Sequence, residues 1–183
     1  MNICITGYRP VKLPSNYGYD LNNSGYKNLS RAIRDVLSMI AVFNGDNKIK
    51  CISGMALGVD QLYVQTAIQL KNIWSKYFKV TITAAIPCRG HELKWPLKSR
   101  ELYHELLKQC DSVRYIHNGT YTQSCMEERN SWMVDNSDAV IAVWDGKSGG
   151  TANCIRYARQ KGKTIYIINP ADYSVRREIN DKK

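Results

Sequence analysis

Two kinds of apolar pattern alternate along this chain. Short β-prone runs at 2–6, 48–53, 79–86, 112–116, 138–144 and 164–168 predict strands. Between them lie longer stretches whose apolar residues recur every three or four positions. Residues 26–43 carry Leu29, Ile33, Val36, Leu37 and Ile40 on one helical face, and 57–74 carry Leu57, Leu62, Val64, Ala67, Ile68 and Ile73. Helices are also predicted over 96–109, 125–136 and 151–161. Pro96 suits a first helical turn, Gly162 the left-handed position after a last one, and Pro87 and Pro170 stop the strands before them.

Strands that alternate with helices in this way predict an α/β fold: a Rossmann-like, doubly wound, mostly parallel sheet with helices on both faces. The run at 138–144 is apolar after its first residue, as in a strand buried on both sides. Ile3, Ile5, Ile52, Ile82, Ala84, Val140, Ile141, Val143 and Ile165 are the expected strand core. No linker or repeat divides the chain. Residues 1–172 read as one domain and 173–183 as a basic tail carrying Arg176, Arg177, Lys182 and Lys183.

In open α/β sheets ligands bind beyond the carboxyl ends of the strands, so the loops there carry the candidate chemistry. They read Thr6-Gly7-Tyr8-Arg9-Pro10, then Ser53-Gly54-Met55-Ala56-Leu57-Gly58-Val59-Asp60-Gln61, then Ile86-Pro87-Cys88-Arg89-Gly90, and finally Trp144-Asp145-Gly146-Lys147-Ser148-Gly149-Gly150-Thr151. The second and fourth are glycine-rich and lead into helices. Glycine admits close backbone approach, and a helix N-terminus offers free N–H groups at its positive end, which together suit an anion. Ser53 and Thr151 add hydroxyls, and Arg9 and Arg89 add charge. One such turn serves packing about as often as binding; two of them with two arginines favour a phosphate ligand. Neither matches the Walker or GxGxxG pattern. Asp60, early in its helix, either complements the dipole or contacts a ribose hydroxyl or a metal-bound water. Asp145 fits a turn or the site equally. Tyr8, Trp95 and Trp144 fall near loop rims where a base could stack.

Composition narrows the class. Hydrophobic residues make up 44% and charged residues 23% of 183, as in ordinary globular proteins. No apolar run approaches the roughly 20 residues of a membrane span. The opening residues read as a strand without a basic leader, so a cytoplasmic location is expected. The formal charge of +10 favours anionic partners. Six cysteines without a CxxC pair read as reduced core thiols, and His91, His104 and His117 lack ligand spacing. No metal, cofactor or membrane partner is expected, and no Ser-His-Asp or Cys-His arrangement stands out.

In combination these motifs resemble the SLOG superfamily, the Rossmann-like group that includes DprA and the LOG proteins, and within it the YpsA-like branch of bacterial and phage proteins. The matching residues are Ile5-Thr6-Gly7-Tyr8-Arg9-Pro10, where the family usually has histidine in place of Tyr8, and the loop from Ser53 to Gln61. Further matches are Ala85-Ile86-Pro87, Trp95, Tyr103, Arg129-Asn130, Met133-Val134-Asp135, Ala142-Val143-Trp144-Asp145-Gly146 and Gly149-Gly150-Thr151-Ala152. The resemblance implies a nucleotide-related ligand at the strand ends, with Pro87, Arg129 and Asn130 joining the loop residues above. It also implies pairing into a homo-oligomer. LOG enzymes cleave a nucleoside monophosphate to free base and ribose phosphate, and their motif places a glutamate three residues after the threonine. Here that position is Cys154. A thiol cannot replace a carboxylate that stabilises positive charge on a sugar or activates water. The favoured expectation is a sensor or sequestering protein for a nucleotide or nucleotide-derived signal, a role that would serve a phage against host defence. The alternatives are a LOG-like phosphoribohydrolase, with Asp60 or Glu128 as substitute acid, and DprA-like binding of single-stranded nucleic acid.

Overall fold

The computed structural model describes residues 1–45, 47–119, 122 and 124–179. Its strands are β1 (Asn2–Gly7), β2 (Lys48–Ser53), β3 (Lys79–Ile86), β4 (Ser112–Tyr115), β5 (Ala139–Val143), β6 (Thr164–Ile168) and β7 (Val175–Glu178). They form one sheet in the order β4-β3-β2-β1-β5-β6-β7. All neighbours pair parallel except β6 and β7, which are antiparallel. The helices are α1 (Ser24–Asn44), α2 (Val59–Ile73), α3 (Leu97–Lys108), α4 (Cys125–Asp135) and α5 (Gly150–Gln160). The expected α/β architecture is therefore present, in the expected element order as far as β6.

Side chains on β1 alternate between two cores, as the pleat requires. Ile3 and Ile5 join α1, α2 and α3 in one buried layer, while Cys4 joins Met133 and Val134 of α4 and Ile155 and Ala158 of α5 in the other. β5 lies between the layers and is buried at all five positions, which explains its unbroken apolar run. The nine predicted core residues are all buried.

The differences from the sequence reading have local causes. α2 starts at Val59, not residue 57, because Gly58 is held at φ +88° and cannot continue a helix. Ile73, assigned to the apolar face of α2, is 66% exposed at its last turn. The stretch taken for a basic tail contains β7. There Arg159 Nε and Nη2 donate to the Glu178 carboxylate at 2.9 and 3.0 Å, tying the strand to α5. Lys182 and Lys183 of that stretch lie outside the described residues.

The chain runs outward from β1 through β2, β3 and β4, then returns to β5 on β1's other side and runs outward again through β6. The strand order thus reverses between β1 and β5. Connections on the two sides leave a crevice between the carboxyl ends of these strands.

Candidate functional site

A cleft of about 220 Å³ opens at that crevice. Gly7, Tyr8 and Arg9 line it from the end of β1, Asp60 from the first turn of α2, Arg129 and Asn130 from α4, and Gly150 and Thr151 from the start of α5. Eight of the residues singled out in the sequence are thereby brought together from four segments.

The α5 end of the cleft is shaped by its two glycines. Gly149 is the residue before the helix and has φ +138°, a conformation that side chains strain to adopt. A Cβ there would also come within 3.0 Å of Lys12 Nζ. A Cβ on Gly150 would meet nothing within 4 Å, so the helix N-terminus faces open space. Among the described residues Asp60 alone brings a carboxylate to the cleft, whereas Arg9, Lys12 and Arg129 all line it. The N-terminal N–H groups and dipole of α5 add to that positive field.

Asp60 and Arg129 form the buried centre. Arg129 Nη1 donates to Asp60 Oδ2 at 3.1 Å, and the two side chains are 7% and 6% exposed. The Ala56 N–H also donates to Oδ2 at 3.3 Å. Burial pushes the Asp60 carboxyl above the usual range, and the Arg129 charge opposes that shift. The guanidinium reaches Asp60 only by lying over Gly54, where a Cβ would overlap Arg129 Nη1. Gly54 therefore serves the cleft by making room, without lining it. Ser53 acts in the same indirect way: its hydroxyl donates to the Asp60 carbonyl at 2.8 Å and accepts the Met55 N–H at 3.1 Å, which folds the loop back onto α2. Gly58 completes the turn between them, and a Cβ there would stand 3.1 Å from the Tyr8 carbonyl.

Tyr8 and Asp145 join the two sides of the crevice. The Tyr8 hydroxyl donates to Asp145 Oδ1 at 2.6 Å, and Lys147 Nζ donates to Oδ2 at 2.7 Å. Burial raises the Asp145 carboxyl, but hydrogen bonds from Lys147 and Tyr8 outweigh it and hold the group at about 2. Burial, with the hydrogen bond to Asp145, pushes the Tyr8 phenol up to about 12. Asp145 is a brace behind the cleft wall, outside the lining.

The remaining candidates lie elsewhere. Pro87 is buried, and its carbonyl accepts the His117 N–H at 2.9 Å. The Arg89 guanidinium stands 4.7 Å from the centre of the Tyr115 ring. Trp95 packs edge-on against His91 and Tyr103, and Trp144 Nε1 donates to the Lys147 carbonyl at 2.7 Å. Of the three aromatics expected at the rim, only Tyr8 lines the cleft. Cys154 is 3% exposed and borders an adjoining groove between α4 and α5. Burial pushes its thiol up to about 11. Lys12 is a lining residue that the sequence does not single out. Pro10 starts a 3₁₀ turn that folds Lys12 back towards Gly149, and a proline after Arg9 was the available signal. Thr6, Val11, Ala56 and Met126 also line the cleft without having been singled out.

Among the described residues, no group of three or more His, Cys, Asp or Glu could hold a metal ion, and no helix is long and apolar enough to cross a membrane.

Comparison with solved structures and known sequences agrees with this architecture. DNA processing protein A (DprA) from Streptococcus pneumoniae superposes with a TM-score of 0.61 at 16% identity, over 92% of this chain and 50% of that one. DNA processing protein A from Helicobacter pylori, studied for its single-stranded DNA binding mode, gives 0.58 at 18% identity, over 92% and 65%. The present chain thus spans half to two thirds of the DprA chains, and the likeness is one of fold. The SPbeta prophage-derived protein YoqJ of Bacillus subtilis (strain 168) is 28% identical over 138 residues, 68% of this chain and 79% of that protein. A UPF0398 protein of Bacillus anthracis (strain A0248) is 28% identical over 163 residues, 88% of this chain and 84% of the relative. The model of the YspA SLOG family (YpsA) matches residues 3–173, nearly the whole chain, and the chain belongs to that family.

Proposed function

We propose that the cleft binds a nucleotide or nucleotide-derived phosphate compound, and that the chain acts as its sensor or sequestering protein. The observation that carries this reading is the open N-terminus of α5. Gly150 faces empty space in a cleft also lined by Arg9, Lys12 and Arg129, so phosphate oxygens could reach N–H groups and cations together. Binding without turnover is favoured because the position of the LOG acid holds Cys154, a buried thiol outside the cleft lining.

The test is calorimetry on wild type and Gly150→Asp with a panel of nucleoside mono- and diphosphates, followed by chromatography of the mixtures. Position 150 is exposed and begins a helix, where an aspartate suits the dipole, so the fold should keep its melting temperature. The introduced carboxylate would repel the phosphate, and affinity should fall at least about tenfold, as when a charged contact turns repulsive. No released base or ribose phosphate is expected. A panel without a single binder would end this reading, and steady product release would replace it with the hydrolase.

Binding of single-stranded nucleic acid is a second reading, favoured by the +10 charge and the DprA-like fold. It predicts oligonucleotide binding that weakens steeply with salt. A gel shift at low salt separates it from small-molecule binding.

A further inference from the structure

Asp60 lines the cleft, and among the described residues one of its carboxylate oxygens has no hydrogen-bond donor. Oδ2 takes both hydrogen bonds, from Arg129 Nη1 and the Ala56 N–H. Among the described residues nothing donates to Oδ1. Nor is Oδ1 sealed away: among the described residues, the enclosed side-chain atoms without a hydrogen-bond partner are Gln61 Nε2, the two His91 ring nitrogens, Arg100 Nε and Arg129 Nε, and Oδ1 is not one of them. Asp60 lines the cleft, so a ligand there can reach its side chain.

An acceptor in that place selects a particular kind of donor. Arg9, Lys12 and Arg129 share the cleft and would repel an ammonium group on a ligand. A neutral hydroxyl meets no such opposition. The N-terminus of α5 and the acceptor at Asp60 both line one cleft of about 220 Å³. We propose that Asp60 accepts a hydrogen bond from a ribose hydroxyl, so that the cleft selects phosphorylated ribose compounds over counterparts that lack the hydroxyls. This rests on the phosphate reading above and adds the sugar to it. A ligand without the hydroxyl would cover Oδ1, strip its water and return no hydrogen bond. Sites built to bond a hydroxyl reject such analogues strongly for that reason.

The experiment measures binding of the four ribonucleoside 5′-monophosphates to the intact chain, each beside its 2′,3′-dideoxy counterpart. The ribose form should bind at least about tenfold more tightly, the scale of one bond to a charged acceptor. Equal or reversed affinities would overturn the role of Asp60 while leaving the phosphate reading in place. If neither series binds, both fall. Asp60→Asn then assigns the effect, since a neutral acceptor is weaker and most of the ribose preference should disappear. An unchanged preference in that variant would move the recognition to another residue. Asn leaves Arg129 without its counter-charge, so folding is checked first by circular dichroism. If the variant does not fold, the wild-type comparison decides alone.

Discussion

The guanidinium of Arg129 occupies the volume in which any side chain at position 54 would begin. One of the two glycine-rich loops is thus a seat for an arginine from a helix far along the sequence. Gly54→Ala must displace that guanidinium and leave Asp60 buried without its counter-charge. Breaking a buried pair from one side typically costs about 3–5 kcal/mol. Urea denaturation should show a loss of that order, and affinity for the proposed phosphate ligand should fall with it. A variant within about 0.5 kcal/mol of wild type would contradict the placement of Arg129, since that is the range of an ordinary surface substitution.

Ile141 lies in the middle of β5, is fully enclosed, and pairs in register with Ile5 of β1 and Tyr166 of β6. Ile141→Ala should cost about 2–5 kcal/mol through the cavity it leaves between the two helical layers. Chemical denaturation measures it directly, and a cost within experimental error would be incompatible with the strand's central position.

His91 sets a pH dependence. Burial, reinforced by the charges of Arg129 and Arg9 and opposed by Glu92, holds the imidazole down at about 4. In the unfolded chain it titrates near 6.5, as free histidine does. The folded state therefore binds this proton less readily, and stability is complete above about pH 6.5 and is lost as pH falls towards 4. The loss should reach about 2–3 kcal/mol from this group. Denaturant midpoints from pH 7 to 4 should fall less in His91→Phe, which keeps an aromatic ring against Trp95 and Tyr103. Parallel curves for the two proteins would show that His91 is not the source.

The cysteines should resist modification in the folded protein. Five of the six are buried. Burial pushes Cys88 and Cys154 up to about 11 and Cys51 to about 12, so little thiolate exists at neutral pH. Mass spectrometry after brief iodoacetamide treatment at pH 7.5 should show almost no adducts on these three, and full labelling once the chain is unfolded. Rapid native labelling of Cys154 would mean that the start of α5 opens readily.

The element order was legible because each central strand carries a short apolar run and each helix a repeating face. β7 was not, because an edge strand exposed along Val175, Arg176 and Arg177 has no face to bury and leaves no alternation in the sequence. In the site, the glycines and Arg9 announced themselves by their place after strands. The supporting roles did not. Nothing in the spacing of Gly54, Asp60 and Arg129 shows that the first must lack a side chain so that the other two can meet. Trp95 and Trp144 were drawn towards the rim by their loop positions, yet ring packing in one case and a backbone hydrogen bond in the other hold them elsewhere.

Between β1 and α1 the chain passes through the segment that carries Arg9, Val11 and Lys12 to the cleft, and its Tyr17 hydroxyl donates to the Pro170 carbonyl at 2.8 Å. Tyr17 is fully buried, with its ring edge-on to Tyr26. One wall of the cleft, formed by the segment that follows β1, is thus latched to a residue 153 positions further along the chain. A ribosome-bound chain that has not yet released Pro170 holds β1 and the glycine loops but lacks this latch. Competence for the proposed binding should therefore arrive only once Pro170 is in place, and a nascent chain stalled before Pro170 emerges would capture ligand poorly even though every residue lining the cleft is already present.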